Sequence, residues 1–82
     1  MNRIRIHMDN FETTKEFHLW LKEVCNFPEY YGCNLDALFD CLSENNDYAF
    51  EVVPSLKFEK YQERVVDTFI DAGCKVFFLI EE

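Results

Sequence analysis

The sequence predicts a small α/β domain in which three parallel strands are packed with helices in the order β-α-α-β-α-β. Three observations carry that prediction. The chain opens on a period-2 stretch, and two further apolar stretches of strand length lie near residues 48–53 and 76–80. The segments between them repeat their apolar residues at helical spacing. Strands separated by helices pair in parallel through right-handed crossovers. At 82 residues and 9.9 kDa the chain is read as one domain, 1–82. A chain of that mass buries about 64% of its unfolded surface, enough for one modest core.

The elements follow in order. Ile4, Ile6 and Met8 alternate with Arg3, Arg5 and His7, the pattern of a strand with one buried face. Thr13 and Glu16 have the spacing of a capping box at a helix start. Phe17, Trp20, Leu21 and Val24 then stand at i, i+3, i+4 and i+7 and predict the helix's core stripe. His18 falls off that stripe and is expected as a satisfied or solvated surface histidine; His7 shows no partner in sequence. Pro28 and Gly32 break the next segment, Cys25 to Asn34, into a loop long enough to suggest a functional one.

Asn34 is a favourable N-cap for a second helix whose buried side is Leu35, Leu38 and Leu42. Asp36 and Asp40 then fall together on another side, one turn apart. Residues Tyr48 to Val53 form a strand stopped by Pro54. A third helix runs from about Phe58 to Ala72, with Phe58, Tyr61, Val65, Val66, Phe69 and Ile70 facing the core and Gly73 ending it in the left-handed conformation. Val76 to Ile80 is continuously apolar and is expected to be a strand buried on both faces.

Charge narrows the function. Sixteen acids against eight bases leave a net charge of −8, which argues against nucleic acid as a direct ligand and against an anionic membrane surface. No apolar run approaches the roughly 18 residues of a membrane span, and the first residues do not read as a signal peptide, so a cytoplasmic location is expected. Between Glu23 and Leu56 stand Glu23, Glu29, Asp36, Asp40, Glu44, Asp47 and Glu51 and no lysine or arginine. Such a run is either a solvated acidic face or a surface that attracts a basic partner.

The four cysteines contain no C-x-x-C pair and are spaced by 8, 8 and 33 residues, so neither a disulfide framework nor a zinc site is expected. Cys41 and Cys74 read as small core residues. Cys33, in a polar loop, is expected to be exposed and open to oxidation or crosslinking. No metal or cofactor is called for.

A carboxylate pair one turn apart could serve glycoside chemistry, hold Mg²⁺, or recognise a cationic surface. The first needs a cleft with other converging polar groups, for which a chain this short has little room. The second needs phosphate and bases nearby, which are missing. Carboxylates on a rigid helix beside Tyr30 and Tyr31 suit recognition of a cationic, phosphate-binding protein surface, so no enzyme activity is expected.

The run Phe27-Pro28-Glu29-Tyr30-Tyr31-Gly32-Cys33-Asn34-Leu35-Asp36-Ala37-Leu38-Phe39-Asp40-Cys41-Leu42 resembles the signature of the barstar family of intracellular ribonuclease inhibitors. Phe17-His18, Leu21-Lys22 and Gly73-Cys74 before the final apolar strand fit the same resemblance, which covers the chain from about Thr13 onward. It implies a barstar-like three-stranded parallel sheet with helices packed on it. The function implied is that of an inhibitor, or immunity protein against a toxin, which plugs a basic ribonuclease with its acidic helix and the loop before it.

By the resemblance Asp40 is the central mimic of an RNA phosphate, Asp36 pairs a second basic group, and Tyr30 packs on a catalytic imidazole. Gly32 and Asn34 shape the loop, and Tyr31 and Phe39 complete the partner-binding set. Phe39 stands where family members typically have Trp, which removes an indole N–H. Cys33 stands where an acid is usual, and Glu44-Asn45 replace a Gly-Trp. An acid of the last helix is also implied at the interface. Counting back from Gly73 reaches Thr68, with Asp67 and Asp71 as the nearby acids. The rival reading is a barstar-like domain that binds a different basic protein or a toxin that is not a ribonuclease.

Overall fold

The period-2 opening forms β1 (Asn2–His7), followed by α1 (Thr14–Val24), α2 (Leu35–Glu44), β2 (Tyr48–Val53), α3 (Glu59–Asp71) and β3 (Lys75–Phe78). The computed structural model describes residues 2–80, so residues 1, 81 and 82 of the expected domain lie outside the described residues. The three strands pair in parallel, as the β-α-α-β-α-β pattern predicts, and lie in the order β1-β2-β3. Met8 does not continue the strand; it turns into a 3-10 turn, Met8–Asn10, and is buried there.

Register sorts the sheet into two unlike faces. Ile4, Phe50 and Val76 are aligned, as are Ile6, Val52 and Phe78. This face packs on the helices, with the Phe50 and Phe69 rings stacked at 3.8 Å. On the alternate positions Arg5, Glu51 and Phe77 are aligned. Here Glu51 accepts both Arg5 (3.4 Å) and Arg3 (3.7 Å), and the Arg3 guanidinium lies over the Phe77 ring. Strands laid down in sequence order through right-handed crossovers place every connection on one face, which leaves the other open.

That order corrects the expectation for the last strand. It is not buried on both faces: β3 is an edge, and Phe77 and Phe78 are exposed. The strand enclosed on both sides is β2, where Tyr48, Ala49, Phe50 and Val52 are buried. An apolar run reports hydrophobicity and not position in a sheet, so the two could not be ranked from sequence.

The core stripe of α1 is also rotated from the expected one. Phe17, His18 and Leu21 are buried together with the following Cys25, while Trp20 is half-buried and Val24 exposed. His18 is therefore a core residue and not a surface one. The helix start holds: the Glu16 N–H donates to Thr13 Oγ1 (3.1 Å), and Glu16 Oε2 accepts the Glu12 N–H (2.9 Å), one residue before the cap. On α3, Val65, Val66 and Phe69 are buried, Phe58 and Tyr61 half-buried, and Ile70, expected inside, is exposed.

Two helices end in the same way. After α3, the Gly73 and Cys74 N–H groups donate to the Ile70 and Phe69 carbonyls, with Gly73 at φ 94°. After α1, the Asn26 and Phe27 N–H groups donate to Glu23 and Lys22, with Asn26 at φ 54°. Both are Schellman closures, one on glycine and one on asparagine. The four cysteines are free thiols; Cys25 and Cys74 are buried, while Cys33 and Cys41 are half-buried, so Cys33 is less open than the polar loop suggests.

Candidate functional site

The site begins where α1 stops. The Asn26 closure turns the chain, and Lys22 Nζ reaches forward to the Glu29 carboxylate (3.3 Å) and carbonyl (3.4 Å). The Tyr31 N–H donates to the Pro28 carbonyl (3.0 Å), which tightens the loop so that neighbouring tyrosines face opposite ways. Tyr30 is 86% exposed, whereas Tyr31 is 7% exposed. Of the two tyrosines expected at the partner surface, only Tyr30 is presented. Tyr31 faces the core and supports the loop from below.

The support is specific. The Tyr31 hydroxyl lies 2.6 Å from His18 Nδ1, and the Tyr61 hydroxyl lies 2.5 Å from His18 Nε2. Burial pushes the imidazole pKa down to about 4, so the ring is neutral at pH 7. The same burial raises the Tyr31 and Tyr61 hydroxyls above the ordinary phenol range. The chain Tyr31–His18–Tyr61 thus ties the loop to α1 and α3. Sequence reasoning missed it, although counting Cys25 as apolar gives a second stripe, Phe17, His18, Leu21 and Cys25, that would have placed His18 inward.

Asn34 then joins loop to helix. Its Oδ1 accepts the Ala37 N–H (2.8 Å) as the cap of α2, while its Nδ2 donates to the Gly32 carbonyl (3.3 Å). One side chain therefore fixes both the helix start and the loop before it. Cys33, between them, sits at φ 54°, a left-handed conformation that few non-glycine residues adopt. Leu38 and Leu42 anchor α2 in the core at 0% exposure, which leaves Asp36, Phe39 and Asp40 outward.

Gly32, Asn34, Asp36, Phe39 and Asp40 are exposed on this pedestal with Tyr30. Ion pairs among the described residues lie elsewhere: Arg3 and Arg5 with Glu51, Lys22 with Glu29, and Lys57 with Glu12. Neither Asp36 nor Asp40 makes an ion pair among the described residues. A groove of about 520 Å³ runs between the start of α2 and α3, lined by Asn34, Leu35, Asp36, Tyr61, Arg64, Asp67 and Thr68. Asp36 of α2 and Asp67 of α3 both line it. Asp71, though exposed on α3, does not line it.

The arrangement offers carboxylates, one exposed aromatic ring and polar loop groups on a rigid base. Among the described residues no group of three or more His, Cys, Asp or Glu side chains is placed to hold a metal ion. No helix among them is long and apolar enough to cross a membrane.

Comparison with known proteins gives two findings. Residues 1–73 match the family described as Barstar (barnase inhibitor). That match takes in β1, which the sequence resemblance left out, and ends at Gly73, before β3. The chain is also 49% identical over 43 residues to a protein of Bacillus subtilis (strain 168) named "Putative ribonuclease inhibitor YrdF". The aligned stretch is 52% of this chain and 47% of that protein, so the match spans about half the length of each.

Proposed function

Because the chain belongs to the barstar family of inhibitor proteins, which are not enzymes, we propose that it inhibits a basic ribonuclease by laying α2 and the preceding loop across the active site. Asp40 and Asp36 take the places of RNA phosphates, Tyr30 packs on an active-site ring, and Phe39 adds apolar contact. Gly32 and Asn34 give the loop its shape, Tyr31 holds it from beneath, and Asp67 extends the acidic surface onto α3. The proposed setting is a cytoplasm that the inhibitor protects from its own or an incoming ribonuclease.

The observation that carries this reading is the unpaired state of Asp36 and Asp40 on a helix fixed at both its cap and its core. A surface that only needed solubility would gain by interspersing bases, as the open sheet face does with Arg3, Arg5 and Glu51. Two exposed carboxylates one turn apart repel by a few tenths of a kcal/mol, a cost that a cationic partner reverses.

The test is inhibition of RNA cleavage. Barnase is titrated with the chain, and ribonucleases captured on the immobilised chain from the source cell's secreted proteins are assayed likewise. Stoichiometric inhibition that RNA competes away supports occlusion. Capture of a basic protein without ribonuclease activity moves the reading to the rival interaction domain. Inhibition of no ribonuclease in either arm overturns the proposal.

A further inference from the structure

The groove between α2 and α3 carries chemistry opposite in sign to the acidic helix beside it. The Tyr31 hydroxyl is buried, and its only polar partner among the described residues is His18 Nδ1. A buried hydroxyl that failed to donate would strand its hydrogen away from water, so Tyr31 donates and Nδ1 accepts. The neutral imidazole then carries its proton on Nε2 and donates it to the Tyr61 oxygen. That contact uses Tyr61 as acceptor and frees its own hydroxyl hydrogen, which cannot point back at an N–H. With no other protein acceptor for it among the described residues, that hydrogen is available to the groove that Tyr61 lines.

Arg64 lines the same groove as Tyr61, one turn further along α3. It is exposed and makes no ion pair among the described residues, although Asp36 and Asp67 share the groove. Two side-chain donors thus converge at the border of a surface otherwise built of acceptors. Asn34 and Asp36 belong both to the groove and to the recognition surface, so a partner seated on the one reaches the other.

We propose that Tyr61 and Arg64 form a donor subsite that takes a main-chain or carboxylate oxygen on the rim of the bound ribonuclease, and that this subsite sets which ribonuclease fits. The proposal rests on the inhibitor reading above. Its function is register: a partner must offer cations to Asp36 and Asp40 and an acceptor oxygen about one helix away. A partner with lysines at that rim is repelled by Arg64.

The experiment has two arms. In the free protein at pH 7, the ¹⁵N shifts of the His18 ring report its tautomer. A proton on Nε2 and none on Nδ1 is expected; the reverse tautomer, or an imidazolium, overturns the donor direction. In the second arm Arg64→Gln, Tyr61→Phe and Asp40→Ala are titrated beside the parent against whichever ribonuclease the parent inhibits, barnase or a captured one, with Tm recorded for each. Arg64→Gln is the deciding variant because the two accounts give opposite signs. If Arg64 is only a stray positive charge, removing it makes an acidic inhibitor more acidic and speeds its association with a basic enzyme. If it is a donor in the interface, inhibition weakens roughly ten-fold or more through faster dissociation, with Tm unchanged. Tyr61→Phe keeps the ring and is expected to weaken inhibition several-fold.

Weakening by Asp40→Ala with none from Arg64→Gln fails the groove and leaves the inhibitor reading standing. A parent chain that inhibits neither barnase nor any captured ribonuclease fails the inhibitor reading and removes the groove's role with it.

Discussion

The Tyr31 hydroxyl sits 2.6 Å from His18 Nδ1 where both side chains are buried, so a residue of the loop before α2 is fastened to the middle of α1. Tyr61 extends the tie to α3 through the other ring nitrogen. The loop is therefore held by three elements at one point, and its neighbour Tyr30 can be fully presented without the loop being slack. Rigidity of this kind lowers the ordering cost of binding.

That tie makes stability depend on pH. The groups facing the imidazole are Tyr31 from the loop and Tyr61 from α3, with the Phe17 ring beside it, and among the described residues no carboxylate bonds it. Burial lowers the His18 pKa from 6.5 to about 4. Between those values the unfolded chain binds the proton and the folded one does not. The stabilisation is therefore complete above pH 6.5, is lost as pH falls, and levels off below about 4. The full span is about 3 kcal/mol, of which about 2 kcal/mol is gone by pH 5. Denaturant melts from pH 7.5 to 5 should show this slope in the parent. His18→Gln, which cannot titrate, should flatten it; a parent already flat over that window refutes the assignment.

How much of this was legible beforehand depends on what each residue's signal measures. The alternation of strands and helices, both helix caps and the left-handed Gly73 follow from local rules, because periodicity, capping and positive φ are settled by near neighbours in the chain. The family resemblance was equally plain, since the residues from Phe27 to Leu42 that carry it are contiguous. His18 was misplaced because its partners are 13 and 43 residues away and no periodicity reports them. Tyr31 and Tyr30 look alike in sequence, and only the loop's turn onto the Pro28 carbonyl separates them. The exposure of β3 depends on which strand ends at the edge, a property of the whole sheet.

The two glycines should respond differently to alanine. At Gly73, φ is +94° and an added Cβ would lie 2.7 Å from Asn46 Nδ2, whose amide donates to the Ala72 carbonyl. Gly73→Ala is expected to cost about 1–3 kcal/mol. At Gly32 the nearest atom would be 3.4 Å away, ordinary contact, so Gly32→Ala should cost well under 1 kcal/mol. Equal loss in chemical denaturation for the two variants would contradict this account.

Asn34 separates the two duties of its side chain by substitution. Asn34→Ala removes the cap acceptor and should cost about 1 kcal/mol. Asn34→Asp keeps the acceptor and suits the helix N-terminus, yet loses the Nδ2 donor to the Gly32 carbonyl. It should therefore melt like the parent but inhibit less well, because the loop is released from α2. If both properties follow the cap alone, the tie to Gly32 has no part in recognition.

Association should be steered by charge. The acids from Glu23 to Glu51 stand without an intervening base, and the exposed pair on α2 has no ion-pair partner among the described residues. The on-rate with a basic ribonuclease should fall roughly ten-fold or more from low to near-molar salt, while dissociation changes less. Stopped-flow measurement across that range decides it, and an on-rate indifferent to salt would reduce the acidic face to a solvation device.

Asp40→Ala distinguishes a solvated helix face from a phosphate mimic, because only the second ties its carboxylate to a partner. Asp40 lies past the first turn of α2, so the helix dipole gives it little, and Asp36 lies one turn away on the same side. Replacing it relieves a repulsion and improves helix propensity, so the fold should hold or gain about half a kcal/mol on either account. Binding is where they part. If Asp40 is only solvated, inhibition survives. If it stands in for a phosphate, its loss strands cationic groups of the enzyme in a buried interface, at a cost on the order of 2–5 kcal/mol. At about 1.4 kcal/mol per decade that is roughly 30-fold to several thousand-fold, mainly in faster dissociation. Asp36→Ala should cost less. Glu51→Ala, on the open sheet face with Arg3 and Arg5, should lower stability by up to about 1 kcal/mol and leave inhibition unchanged. Thermal melts and ribonuclease inhibition for the three variants give both readouts. A folded Asp40→Ala chain that inhibits as well as the parent sinks the site assignment while leaving family membership intact.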